Sequence, residues 1–286
     1  MKLAVNTYIA AIILMAYNKP APANPAVMQG LKENQTKCSL GVQANPKKGL
    51  GIYRQQNFPN VTQKLHLAWY YTWGLSPIKR VPANVEFVPM VWGWYGDKSG
   101  KVTQQIVSLK SRLKAHYLLG FNEPDNATQS NLSVAAALKA WPVLMKAHLP
   151  LGAPGAVHAD DVWMRQFMAE AEAAHDRVDF VPIHWYGLPD AQAFLNYVRH
   201  IHELYGKPVW ITEFANVDWS SPKKVSSRFT ANDVAKFLRV VLPALNQMSY
   251  VVRYAWFSSL TPPLSTSSLF NKDGSLTEAG RVYASN

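Results

Sequence analysis

The 286 residues suit one large domain or two small ones, and a hydrophobic fraction of 48% leaves enough apolar surface for a sizeable core. The formal net charge of +11 comes from scattered Lys and Arg, with no arginine-rich helix and no zinc-finger spacing, which argues against a nucleic-acid partner. Cys38 is the only cysteine, so an intramolecular disulfide and a thiolate metal site are both excluded.

At the start of the chain, Lys2 precedes a mostly apolar run from Leu3 to Ala16, interrupted by Asn6 and Thr7. Small residues at Ala21 and Ala23 offer a peptidase site, which predicts a signal peptide over 1–23 and a secreted or periplasmic protein. The apolar run is too short for a comfortable span, so no membrane association is expected once the signal is removed. Residues 24–47 read as an irregular lead-in, and 48–286 as one domain.

From Lys47 onward, short apolar runs alternate with helical patterns. The strand candidates are Gly49–Tyr53, Leu65–Tyr71, Glu86–Trp92, Tyr117–Asn122, Leu151–Ala156, Phe180–Tyr186, Pro208–Phe214 and Val251–Phe257. Most are continuously apolar, as parallel strands buried on both faces are. Between them, Lys101–Lys114 reads as amphipathic, and Trp163, Phe167 and Ala171 recur at helical spacing. Phe194, Val198, Ile201 and Tyr205 do the same, and Thr230 stands as an N-cap with Asp233 three residues on. Eight strands without a composition break predict a single-domain α/β fold, a (β/α)8 TIM barrel.

Active sites of such barrels lie at the C-terminal ends of the strands, so polar residues there carry the functional reading. The fourth candidate strand ends in Asn122-Glu123-Pro124-Asp125, the sixth in His184-Trp185-Tyr186, the seventh in Thr212-Glu213-Phe214 and the eighth in Trp256-Phe257-Ser258. Strands four and seven face each other across a closed barrel, so Glu123 and Glu213 are placed to flank one bond of a polymer. Glycoside hydrolysis needs such a pair. The structural alternatives are a turn residue before Pro124 for Glu123 and a buried ion-pair partner for Glu213. His116, His148, His158, His200 and His202 lack ligand spacing, and no Gly-rich phosphate loop or Gly-x-Ser-x-Gly elbow is present, so neither metal nor cofactor is expected.

The runs Trp69-Tyr70-Tyr71-Thr72-Trp73-Gly74, Leu119-Gly120-Phe121-Asn122-Glu123-Pro124-Asp125, His184-Trp185-Tyr186, Val209-Trp210-Ile211-Thr212-Glu213-Phe214 and Arg253-Tyr254-Ala255-Trp256-Phe257 resemble glycoside hydrolase family 128. The ordered set is far more specific than Asn-Glu-Pro alone. Thr72 departs from the Asn of the family pattern. The resemblance implies a retaining endo-β-1,3-glucanase with Glu123 as acid/base and Glu213 as nucleophile.

Around that pair, Asn122 is suited to bond a sugar 2-hydroxyl, and His184 and Tyr186 are candidate donors to Glu213. Trp73, Trp92, Tyr186 and Trp256 are candidate platforms for the apolar face of a glucose unit. The expected partner is a β-1,3-glucan bound by a monomer. Another β-glucan (β-1,4 or β-1,6) and a non-catalytic carbohydrate-binding barrel are the alternatives. Asn34, Asn60, Asn126 and Asn131 open Asn-x-Ser/Thr sequons.

Overall fold

The computed structural model describes residues 45–53, 60–79, 81–220 and 227–286. The predicted signal peptide, Cys38 and most of the lead-in lie outside the described residues. Six strands form one wholly parallel sheet: β1 (Lys48–Gly51), β2 (Trp69–Tyr71), β3 (Glu86–Phe87), β4 (Val181–Gly187), β5 (Val209–Asn216) and β6 (Val251–Trp256), in the order β3-β2-β1-β6-β5-β4.

The predicted fourth and fifth strands close this sheet through isolated parallel bridges rather than continuous ladders. Met90 bridges Leu119, Leu118 bridges Leu151, Asn122 bridges Gly155, and Gly152 bridges Phe180. Pro89, Pro150 and Pro154 lie in or beside these segments, and a residue without an N–H breaks a ladder. Gly120 also forces close approach, since a Cβ there would lie 2.7 Å from the Gly152 carbonyl oxygen. With these bridges the sheet becomes a single-domain (β/α)8 barrel.

The helices are α1 (Val61–Lys64), α2 (Lys101–Val107), α3 (Leu109–Leu113), α4 (Val134–Met145), α5 (Val162–Ala173), α6 (Ala191–Tyr205), α7 (Ala231–Gln247) and α8 (Glu278–Ser285), with a 3-10 turn at Leu264–Ser267. The amphipathic segment Lys101–Lys114 is therefore two helices jointed at Ser108. Of the apolar spacings read in α5 and α6, Phe167, Ala171, Phe194, Val198 and Ile201 are buried, and Trp163 and Tyr205 pack half-buried against the core. Thr230 and Asp233 make the reciprocal capping box that starts α7.

Two apolar clusters follow from strand alternation. Trp69, Tyr71, Val88, Met90, Leu119, Phe180, Trp210 and Ala255 form a small cluster apart from the main core. Every one lies on a barrel strand or closing segment, and together they fill the barrel interior. The larger cluster, including Phe121, Ile183, Phe194, Phe214, Phe237 and Trp256, lies between barrel and helices. The interior plug supports the strand ends from below, where the polar residues gather. Among the described residues no helix is long and apolar enough to cross a membrane.

Candidate active site

Glu213 sits on β5 with its side chain buried, and three aromatic donors hold it. Oε1 accepts from Trp73 Nε1 at 2.7 Å and from the Tyr71 hydroxyl at 3.3 Å, while Oε2 accepts from the Tyr186 hydroxyl at 2.5 Å. Burial, then the charge and hydrogen bond of Glu213, push the Tyr186 phenol well above its ordinary value of 10.0, so it remains a donor. Tyr71 is itself fully buried in the barrel plug and also donates to the Thr212 carbonyl. Trp73 reaches Glu213 from a backbone φ of 52°, a left-handed conformation that a Trp adopts only under constraint.

Glu123 follows the fourth closing segment, also buried and also left-handed, with φ of 40°. Its amide donates to the Gly155 carbonyl at 2.7 Å, which ties the strained turn to the fifth segment. Asp125 fixes the same turn, with both oxygens 3.1 Å from the Val157 amide. Burial raises the Asp125 carboxyl; the Val157 amide opposes this and the Glu123 charge adds to it.

His184 links the two glutamates. Its Nδ1 lies 3.0 Å from Glu123 Oε1 and its Nε2 lies 3.7 Å from Glu213 Oε1, with only 2% of the side chain exposed. Burial alone pulls the imidazole down, but the charge of Glu213 and the bond and charge of Glu123 hold it up at about 9. Ligand atoms of Glu123, His184 and Glu213 all lie within 4.8 Å of one another, a donor set whose size also suits a metal ion. Protonated, the imidazole can donate to both carboxyls but has no lone pair to offer a cation. Two carboxylates at this spacing can flank a single glycosidic bond.

The other candidates divide. Asn122 is buried beside Glu123, its Nδ2 facing Gln129 Oε1 at 3.4 Å and its Oδ1 unpartnered. The half-buried Trp92 lies next to it, since the Asn122 amide donates to the Trp92 carbonyl, and its ring centroid is 6.3 Å from that of the exposed Tyr95. Trp73 and Tyr186 border the carboxylates. Trp256 does not join them. Its ring is fully buried outside the barrel, edge-on to Phe214 at 4.8 Å, with Nε1 donating to the Ser267 carbonyl. No face of it is open to a sugar.

Strand alternation is the reason: Tyr254 and Trp256 point toward the helices, whereas Arg253, Ala255 and Phe257 share the inner side. Phe257 takes the place expected of Trp256, with its ring 5.9 Å from Trp73 and 5.5 Å from Tyr186. A period of two along Arg253–Phe257 carried that signal. Tyr71 and Asn126, which donates to Glu123 Oε2 at 3.2 Å, were also missed as carboxylate partners. At the departure from the family pattern, the Thr72 hydroxyl donates to the Ser76 carbonyl at 2.8 Å, a bond within its own turn.

Comparison with known proteins places the chain in a family. The model of the glycosyl hydrolase catalytic core matches residues 49–283. A family 128 subgroup I endo-β-1,3-glucanase from Amycolatopsis mediterranei, solved with laminaritriose, is 33% identical and covers 84% of this chain and 99% of its own, at a TM-score of 0.71. A subgroup II endo-β-1,3-glucanase from Sorangium cellulosum is 28% identical, covers 84% and 98%, and has a TM-score of 0.69. Alkali-sensitive linkage protein 1 of Schizosaccharomyces pombe is 26% identical over 235 residues, 76% of this chain, and the chain spans 40% of that protein's length. On fold, motif order and these matches together, the chain belongs to the glycosyl hydrolase catalytic core and, within it, to glycoside hydrolase family 128.

Proposed function

We propose that the protein hydrolyses internal bonds of β-1,3-glucan by double displacement, with Glu213 as nucleophile and Glu123 as acid/base. The observation that carries this reading is the buried Glu123–His184–Glu213 cluster, with its ligand atoms within 4.8 Å of one another at the C-terminal end of the barrel. Retaining glycosidases hold their carboxyls about 5–5.5 Å apart, close enough for direct attack, whereas inverting ones leave room for a water.

In the first step a Glu213 oxygen attacks the anomeric carbon and Glu123 gives its proton to the glycosidic oxygen. The bond to that oxygen breaks, and the shortened glucan leaves with the proton. In the second step Glu123 takes a proton from water, the hydroxide portion attacks the anomeric carbon, and the Glu213 ester bond breaks. Three donors around Glu213 fix its attacking geometry, and His184 keeps both carboxyls in register. Asn122, the residue before Glu123, with its Oδ1 unpartnered, is the group for the sugar 2-hydroxyl. Half-buried Trp73, Trp92 and Tyr186, with Phe257, supply apolar faces for the glucose rings. The β-1,3 linkage is supported by the Amycolatopsis and Sorangium relatives. A secreted location rests on the export-like sequence of residues 1–23.

The test is product analysis. The parent, Glu123→Ala and Glu213→Ala are incubated with linear β-1,3-glucan and with cellulose, and the anomeric configuration of new ends is followed by NMR. A ladder of short oligosaccharides from the β-1,3-glucan alone, with β ends formed first, is expected, and each variant should lose about 10³-fold or more in rate. Glucose as the sole product would refute internal cleavage, α ends would refute retention, and no product from any glucan would point to a binding barrel.

A further inference from the structure

We propose that Asn126 is a positioning residue for Glu123, with Thr128 orienting the Asn126 amide so that its N–H holds one carboxyl oxygen. This rests on the reading of Glu123 as acid/base. The amide orientation follows from its partners. Asn126 Oδ1 accepts from both the Thr128 amide, at 3.0 Å, and the Thr128 hydroxyl, at 2.8 Å. A nitrogen in that place would face the Thr128 amide N–H, which can only donate, so Nδ2 is the end that turns to Glu123 Oε2, at 3.2 Å.

The backbone reinforces the arrangement: the Asn126 amide donates to the Glu123 carbonyl, and the Gln129 amide donates to the Asn126 carbonyl. Glu123 is thereby held at both oxygens, with Oε1 against His184 Nδ1 and Oε2 against Asn126 Nδ2. Two opposed contacts fix the plane of the carboxyl, whereas His184 alone leaves it free to rotate about its last bond. The plane decides whether the proton lies along the line to the glycosidic oxygen. Asn126-Ala127-Thr128 also has the spacing of a glycosylation sequon. In the folded chain the same spacing places the threonine hydroxyl on the asparagine carbonyl oxygen and aims the amide into the site.

The experiment separates protonation of the leaving group from everything else. Dinitrophenolate leaves a sugar without being protonated, whereas a glucan hydroxyl does not, and kcat/KM reports the first displacement only. Asn126→Ala removes the amide without adding charge; Asn126→Asp keeps the volume and the bonds to Thr128 but sets a second carboxylate against Glu123 Oε2, so it reads loss of the N–H donor together with added charge. Each is compared with the parent on laminarihexaose and on 2,4-dinitrophenyl β-laminaribioside, with unfolding midpoints measured in parallel. A fall of about 10- to 100-fold in kcat/KM on laminarihexaose is expected, against a change within about threefold on the aryl substrate.

Equal losses on both substrates, or no loss on either, would overturn the proposal; if Asn126→Ala misfolds, Asn126→Ser, equally uncharged and too short to reach Oε2, decides. Glu123→Gln runs beside them and must itself spare the aryl substrate. If it does not, the acid assignment falls and the proposal with it, whereas failure confined to the Asn126 variants leaves that assignment standing.

Discussion

His184 is an imidazole enclosed by protein and held between two carboxylates, and its charge is decided by which of those facts dominates. Burial favours the neutral ring, but the charge of Glu213 and the bond and charge of Glu123 hold its pKa at about 9 against the ordinary 6.5. A group raised on folding contributes stability that is complete below its ordinary value and is lost as pH climbs through the folded one. Lys48 acts in the opposite sense. Burial lowers its ammonium from 10.5 to about 8, so from pH 8 upward it returns stability as the folded form gives up its proton. The clean window for His184 therefore runs from pH 6.5 to 8. Over it the parent should lose about 2 kcal/mol in urea unfolding, and His184→Gln should lose nothing comparable. Equal slopes for the two proteins would show that the histidine is neutral in the folded site.

The pair Glu123 and Glu213 was legible in sequence because Glu123 directly follows one apolar strand run and Glu213 interrupts another near its end. Their partners were less so: Tyr71 and Phe257 look like ordinary core aromatics until alternation along the strand is followed. Asn126 carries its own distracting motif.

At the scale of elements, the site depends on how closely the fourth and fifth closing segments approach. Gly120 lies three residues before Glu123, and a Cβ on it would fall 2.7 Å from the Gly152 carbonyl oxygen and 3.0 Å from that of Ala153. These neighbours are backbone and give way only if the two segments separate. Gly120→Ala is therefore expected to destabilise the fold by about 1–3 kcal/mol, measured by urea unfolding. It should also lower kcat by about tenfold or more, because the bond from Glu123 N to the Gly155 carbonyl spans the same gap. Full activity in a stable Gly120→Ala protein would show that the turn at Glu123 is held independently of these segments. The long helices were readable from sequence, since their apolar spacing and the Thr230–Asp233 cap are local signals. The fourth and fifth strands were readable as apolar runs, but not as bridges, because proline and backbone approach interrupt their ladders only in three dimensions.

For the whole molecule, the barrel separates its load-carrying end from its chemical end. Near the N-terminal ends of the strands, the Arg253 guanidinium lies 4.6 Å from the Trp210 ring, 4.7 Å from Tyr117 and 5.4 Å from Trp69, and pairs with Glu86 Oε2 at 2.5 Å. Arg253 is one of the few charged side chains buried among the described residues, and three aromatic faces compensate part of its lost hydration. Removing it leaves the part-buried Glu86 with only the exposed His116, 3.4 Å away, and opens a void between the rings, so Arg253→Ala should cost about 3 kcal/mol of stability. Arg253→Met refills the void and should recover part of that loss. Within the plug, Trp69 and Tyr71 stand between Arg253 and Glu213, and their packing is stiff, so both variants should keep the parent kcat on soluble β-1,3-glucan wherever they remain folded. The comparison is made at 25 °C, with unfolding midpoints to fix the folded range. A kcat that falls in proportion to lost stability would show instead that the plug sets the height of the carboxylates, and that the two ends of the barrel are mechanically coupled through Tyr71.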